Sequence, residues 1–477
     1  MFSRFPWPHP AGSAASALLL ALALVAPGSL TAQAPQAPGQ QAASASSFQG
    51  SVATGEVSAQ ALDLTLDDAI QRGLRNNLGV ILSGKQTTAA RAQRLSQLQA
   101  LLPALDVSGK ETLMQADLPA EGLRIPGFPK VIGPFGYTDV RASATWSAVN
   151  IPSLRNYLAA RHNFAAADLS AQDARELVIL TVGNAYLLAL ADETRVASVE
   201  AQVATAKVSL DQASAAHQAG TAPLLDELRS RVDYQSLEQQ LIVARNNLEK
   251  DKLALARTIG MPLAQTFNLA DKAPYAVFDQ IDLEAALHQA HLNRKDLAAM
   301  VEQVKASQEQ RKAATALRLP TFDAAADYGD IGTTLAHSHG TGDASGTLSV
   351  PLFDEFALRG QALSAQAQLD TRQAELSDKN AQIDADVRDA LLDIVSAGKQ
   401  VEVARSSVEL ANEALSEAQQ RYANGVSDNL AASQAEQSVA QANDQYVTSL
   451  YRHNVAKLSL ARALGAGENY KTYLGGK

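Results

Sequence analysis

The sequence predicts a mainly α-helical fold with a small β part, and three observations predict it. Two stretches, Pro152 to Pro223 and Pro351 to the C-terminus, contain no internal proline and are filled with Ala, Leu, Gln, Glu, Arg and Val. Proline breaks helix interiors, so these gaps are where very long helices can form. The chain is also a duplication: "LTLDDAIQRGLRNN" at 64–77 matches "IDLEAALHQAHLNR" at 281–294 at an offset of 217, which carries Pro103 onto Pro320, and "KLALARTIG" at 252–260 matches "KLSLARALG" at 457–465 at an offset of 205. Finally, each repeat holds one segment that alternates apolar and polar residues with the period of a strand.

The first 34 residues read as an export signal. Arg4 precedes an apolar run from Ala15 to Val25, and "TAQA" at 31–34 offers a small-residue cleavage site. The run is shorter than the ~20 apolar residues of a spanning helix. Residues 35–60, rich in Gln, Ala, Ser and Pro, read as a flexible leader.

The first repeat, 61–262, then runs as a half-length helix at about 66–101, a β-hairpin at 105–149, a long helix at 154–218, a tight turn at 219–225 and a return helix at 226–258. A linker covers 263–280. The second repeat, 281–465, has the same order at 283–318, 321–353, 357–422, 423–427 and 428–464, and 466–477 form a short tail. The offset between repeats shrinks because the Pro-rich segment 115–137 is longer than its counterpart near 335–342. At 1.5 Å per residue the helix 154–218 is ~98 Å long, and the two shorter helices of that repeat sum to ~104 Å, so stacked end to end they match it. Val196, Val199, Val203, Ala206 and Leu210 correspond to Val401, Ala404, Val408, Ala411 and Leu415, and their spacing of three and four is that of coiled-coil packing.

The hairpins suit a membrane. Val140, Ala142, Ala144, Trp146 and Ala148 alternate with Asp139, Arg141, Ser143, Thr145 and Ser147, while Ala344, Gly346, Leu348, Val350 and Leu352 alternate with Asp343, Ser345, Thr347 and Ser349. A half-buried soluble sheet shows the same period, but here the helices supply no separate apolar layer to cover it. A spanning sheet must close on itself, and four strands are fewer than the ~8 of the smallest barrels, so strands have to be pooled between copies. A trimer would supply twelve.

Composition excludes several functions. The chain of 477 residues has no cysteine, which removes disulfides, thiolate metal sites and thiol nucleophiles. A net charge of −10 without a Lys/Arg cluster argues against nucleic-acid binding. No nucleophile motif frames any Ser or Asp, and the glycines at 340, 342 and 346 lie in a strand-turn-strand setting rather than a dinucleotide fingerprint. His288 and His291 lack further ligands, and His337 and His339 fall in the second hairpin loop, where weak metal binding stays open as a minority reading. No enzyme and no cofactor are expected.

The opening "LTLDDAIQRGLRNN", "NRKDL" at 293–297, "VPLFD" at 350–354 and the tip segments "AHQAGTAPLLDEL" at 216–228 and "RYANGVSDNL" at 421–430 together resemble the TolC-like outer membrane efflux protein family. The resemblance covers about residues 61–465. It implies a TolC-like α/β-barrel: a homotrimer whose four transmembrane strands per chain close a twelve-stranded barrel in outer-membrane lipid, with long coiled-coil helices projecting into the periplasm. It further implies a passive exit duct for efflux or type I secretion, docked by a periplasmic adaptor and driven by an inner-membrane pump of RND, ABC or MFS type. A non-channel periplasmic coiled-coil scaffold is the alternative.

At the tip, Gly220 and Gly425 suit left-handed helix ends, and Thr221 and Ser427 suit the starts of the return helices. The resemblance makes Gly220, Thr221, Leu224, Leu225, Gly425, Val426 and Ser427 an adaptor-docking edge, and Asp226 with Tyr422 a gate latch. It also places Ala431 and Gln434 at the aperture, where the family's best-known member has two aspartates, and Ser427 where the latch network has an arginine. The proline usual in "NRPDL" is Lys295 here.

Overall fold

The structure, a computed structural model, describes residues 45–271, 276, 281–424, 426 and 429–474. The expected export signal, the first part of the leader, most of 272–280 and the tip residues Gly425 and Ser427 lie outside the described residues.

The leader does not stay free throughout. Residues Ala45–Gln49 form one turn of 3-10 helix, and Phe48 is buried. Its ring fills the space over Gly79, where a Cβ would meet it at 2.4 Å. Val52 and Thr54 then donate backbone hydrogen bonds to Asn76 and Gly260, at 2.9 Å each. The expectation of a flexible leader is corrected from residue 45: one aromatic side chain in a polar run is enough to dock it.

Strand β1 (Leu62–Leu64) pairs in parallel with β4 (Phe267–Leu269), so the segment read as a linker carries a strand that ties the repeats together. The half-length helix is two helices, α1 (Leu66–Asn76) and α2 (Leu78–Gln99), broken at Asn77. Thr65 caps α1 by accepting from the Asp68 amide, and Asp67 and Asp68 sit in the first turn, where the helix dipole favours them. Asn77 is fully buried in an extended conformation; its side chain accepts from Gly79 and donates to the carbonyls of Phe48 and Thr258, at 2.9, 2.7 and 3.2 Å. Replacing it by alanine strands these buried groups, and a loss of about 1 to 3 kcal/mol is expected. Urea unfolding followed by helical circular dichroism checks this; an unchanged midpoint would remove Asn77 as the anchor.

The second repeat breaks at the equivalent place. Helices α5 (Leu283–Asn293) and α6 (Lys295–Ala316) meet at Arg294, offset by 217 from Asn77. A single unbroken half-helix, as expected from the pattern, is therefore corrected in both repeats. Both breakpoints adopt extended backbone and use buried side chains to hold it.

The hairpins are β2 (Ala104–Asp117) with β3 (Val131–Val149), and β5 (Thr321–Gly332) with β6 (Ser338–Ser349). They join into one antiparallel sheet in the order β2-β3-β5-β6. Two long helices follow them, α3 (Ile151–Gln218) and α7 (Glu355–Ala423), of 68 and 69 residues, or ~102 Å each. Helix α3 starts earlier than expected because Asn150 caps it and Pro152 occupies its first turn, where no amide donor is needed. The return helices are α4 (Leu224–Ile259) and α8 (Asn429–Ala463). Helix α3 packs on α2 and α6 towards the sheet and on α4 towards the tip, and α7 packs likewise on α6 and then α8.

The apolar core sits midway. Val178, Ile179, Val182, Tyr186, Leu187 and Leu190 of α3 are buried with Ile70, Leu255, Ile259 and Leu458, and a second cluster joins Ile383, Val387 and Ile394 of α7 to Leu460 and Leu464. By length and composition alone α3 could cross a membrane, but 61% of its most apolar window is buried inside the protein, as a core helix would be. The C-terminal segment joins this core: a short helix α9 (Tyr470–Leu474) buries Tyr470 and Leu474, and the Tyr470 hydroxyl donates to Asp67 at 2.5 Å.

Candidate functional site

The sheet sorts its faces by chemistry. Leu105 and Val107 of β2 lie level with Ala144 and Ala142 of β3, which lie level with Ala326 and Tyr328 of β5 and then Ala344 and Gly342 of β6. This face is exposed and almost wholly apolar, with Val107 at 81% and Tyr328 at 69% of full exposure. The opposite face is polar and cross-linked. Arg141 bonds Asp327 and Thr341, and Ser147 donates to Asp323. Such a sheet has one side for lipid and one for water. Among the described residues, its outermost strands, β2 and β6, each leave one row of backbone groups without a strand partner.

At the other end, Gly220 ends α3 with φ of +72°, the left-handed conformation expected of it. Thr221 does not start the return helix. Its amide and hydroxyl both donate to the Ala216 carbonyl at 2.9 Å, closing the end of α3, while Pro223 precedes α4 without a side-chain cap. Proline fixes the approach to α4 by itself, which leaves threonine to satisfy the preceding helix. Leu224, Leu225 and Val426 project, at 52%, 53% and 66% exposure.

Asp226 is buried at the start of α4, 3.9 Å from Arg229. Burial, and then the nearby Asp226 carboxylate, push the Tyr422 phenol up, so the two are brought together without a hydrogen bond between them. Ala431 and Gln434 are both exposed, one helical turn apart on α8.

Four polar contacts that the sequence reading missed bind α8 to the α3 and α4 pair. Arg195 reaches from α3 to Asp444 at 2.6 Å and Thr448 at 3.3 Å, while also pairing with Asp192. Nearer the tip, Ser209 donates to Glu436 at 2.9 Å and Ser433 donates to Asp233. Burial, followed by the Asp233 charge, raises the Glu436 carboxyl. Arg195, Asp233, Ser433, Glu436 and Asp444 line a cleft of about 890 Å³ between the two coiled-coil pairs. Their only sequence signal is asymmetry: the position matching Arg195 in the other repeat is Gln400, and that matching Asp233 is Ser438.

Two of the histidines, His291 and His337, have ordinary partners. His291 contacts Asp384 at 2.8 Å and His337 contacts Thr334 at 3.1 Å. Among the described residues no group of three or more His, Cys, Asp or Glu side chains could hold a metal ion.

A model of the family described as outer membrane efflux protein matches residues 286–466, which is the second repeat. The solvent efflux pump outer membrane protein SrpC of Pseudomonas putida is 25% identical over 412 residues, covering 85% of this chain and 86% of that protein. The chain is thus similar to the outer membrane efflux proteins, in its second repeat by the family model and over most of its length by its relatives. Two solved structures share its fold, which is TolC-like. The outer membrane protein VceC of Vibrio cholerae superposes with a TM-score of 0.74 at 19% identity, covering 84% of this chain and 96% of VceC. The CmeC outer membrane channel of Campylobacter jejuni gives 0.74 at 17% identity, covering 90% and 95%.

The mainly α architecture with its small sheet follows the sequence expectation. The matched region ends with "LARALG" at 460–465, whose last residue turns the chain at φ of +65°. That region also includes Ala431 and Gln434. Alanine and glutamine carry no charge, so neither position brings a carboxylate to this face of α8.

Proposed function

We propose that this protein is the passive outer-membrane exit duct of an efflux or secretion assembly. The observation that carries this reading is the sheet: a lipid-type face, a polar cross-linked face and two open edges on a chain that has too few strands to close a barrel. Three copies supply twelve strands, with the polar face lining a water-filled lumen. The long helices then continue that lumen into the periplasm after the N-terminal signal is cleaved. Solvent efflux, named for the Pseudomonas relative, makes small apolar molecules the first cargo class to try.

A duct of this kind does no chemistry of its own. Its partners are a periplasmic adaptor, meeting the projecting Leu224, Leu225 and Val426 beside Gly220 and Thr221, and an inner-membrane pump that supplies energy. Gly425 and Ser427 belong to the same edge by the family resemblance. Asp226 and Tyr422 form one closing contact near the mouth, and Ala431 and Gln434 face the aperture.

Reconstitution into planar bilayers tests the duct. Discrete conductance steps are expected, and their absence from protein that sediments with outer membranes would sink the channel reading. Loss of a closing contact of about 1 kcal/mol shifts an equilibrium about fivefold, so Asp226→Ala with Tyr422→Phe is expected to raise the open-to-closed ratio by that order. Unchanged gating in the double variant would remove the latch.

A further inference from the structure

We propose that the seam between neighbouring copies is closed by an apolar knuckle, Phe353 and Phe356 at the start of α7, seated on the end of α2 of the next copy at Leu95 and Leu102. The inference rests on the assembled-barrel reading above and adds to it a specific contact outside the sheet.

The two layers of the chain run in the same order. Behind the sheet β2-β3-β5-β6, helix α2 packs on α3, α3 on α6 and α6 on α7. One side of each chain therefore ends in β2 and α2, and the other in β6 and α7. In a closed ring of identical copies, the two unlike sides must meet. Strand β6 runs into α7 and α2 runs into β2, so an antiparallel β6 to β2 pairing across the seam brings the start of α7 alongside the end of α2.

The side chains at this junction fit such a meeting. Phe353 and Phe356 stand at 101% and 92% exposure, and Leu95 and Leu102 are half exposed. Counted from the facing ends of α7 and α2 and to within one residue, Phe353 comes level with Leu102. Gly360, whose missing Cβ would have nothing within 4 Å, comes level with Leu95. Further along the same two helices Asp370 comes level with Lys85, an opposite charge, and both are exposed. Lipid is a poorer occupant for the knuckle. Glu355, paired with Arg318 at 2.6 Å, lies between the two phenylalanines, and Arg359 follows one turn later, so lipid burial would pull these charges out of water.

The cysteine-free chain allows a direct test. Phe353→Cys combined with Leu102→Cys, expressed in cells and oxidised in isolated outer membranes, is expected to move the monomer band into dimer and trimer bands on a non-reducing gel. Phe353→Cys with Leu154→Cys, the latter on the interior helix α3, is expected to remain monomeric on the same gel. Trimers seen by amine cross-linking without the disulfide ladder would overturn the seam while leaving the assembled barrel intact. Absence of trimers by either method would overturn both. Phe353→Ser with Phe356→Ser adds a second readout: the trimer should dissociate at a lower temperature in gel assays, and an unchanged temperature would count against the knuckle.

Discussion

Arg294→Ala is expected to lower stability by about 3 to 5 kcal/mol, the usual loss when one partner of a buried ion pair is removed. Arg294 occupies the break between α5 and α6 and is only 5% exposed. Its guanidinium grips Asp296 through two bonds, at 2.8 and 3.1 Å, and Asp386 through a third at 2.7 Å. Burial would raise the Asp296 carboxyl, yet the hydrogen bonds and charge of Arg294 outweigh it and hold the group below the ordinary range. Removing the cation leaves the largely buried Asp296 with Lys379 at 3.7 Å and the field of Arg462, which Asp173 and Glu176 already occupy. Burial pushes Glu176 up to about 7, so this belt has little spare positive charge. Chemical unfolding of detergent-solubilised protein measures the loss. Arg175→Ala serves as the comparison, because its pair with Glu468 is largely exposed and should contribute about 0 to 1 kcal/mol. Equal midpoints for the two variants would show that Arg294 only fills space.

The same residue shows what the sequence could and could not reveal. Periodicity and proline spacing located the long helices within a few residues, because a helix of 68 residues has one dominant signal along its whole length. The duplication made the hairpins legible twice. Periodicity could not show that Asn77 and Arg294 interrupt their helices, since neither is a proline and their partners, Thr258 and Asp386, lie 181 and 92 residues away. Phe48 was hidden for the opposite reason: local composition said leader, and only the hole above Gly79 said anchor. The tip was legible through Gly220, whose left-handed turn is a local property. The Arg195, Ser209 and Asp233 contacts to α8 were not, because they join helices whose relative rotation the sequence does not state.

Face chemistry makes the last prediction the sharpest. Ala325 and Ala326 are adjacent exposed alanines in β5, and a strand points them to opposite sides. Ala326 lies between Ala144 and Ala344 on the apolar face, whereas Ala325 lies between Thr145 and Ser345 on the face that carries Asp323 and Asp327. Ala326→Arg puts a guanidinium near the middle of the lipid band, where about 2 to 4 kcal/mol is lost per chain, while the same change at Ala325 enters water beside carboxylates. In a ring of identical chains the loss recurs in every copy, so outer-membrane assembly of Ala326→Arg should collapse while Ala325→Arg assembles nearly as well as the parent. Quantifying folded protein in the outer-membrane fraction decides it. If the two arginines behaved alike, the sheet would have no lipid side, and a duct built from its pooled strands could not stand.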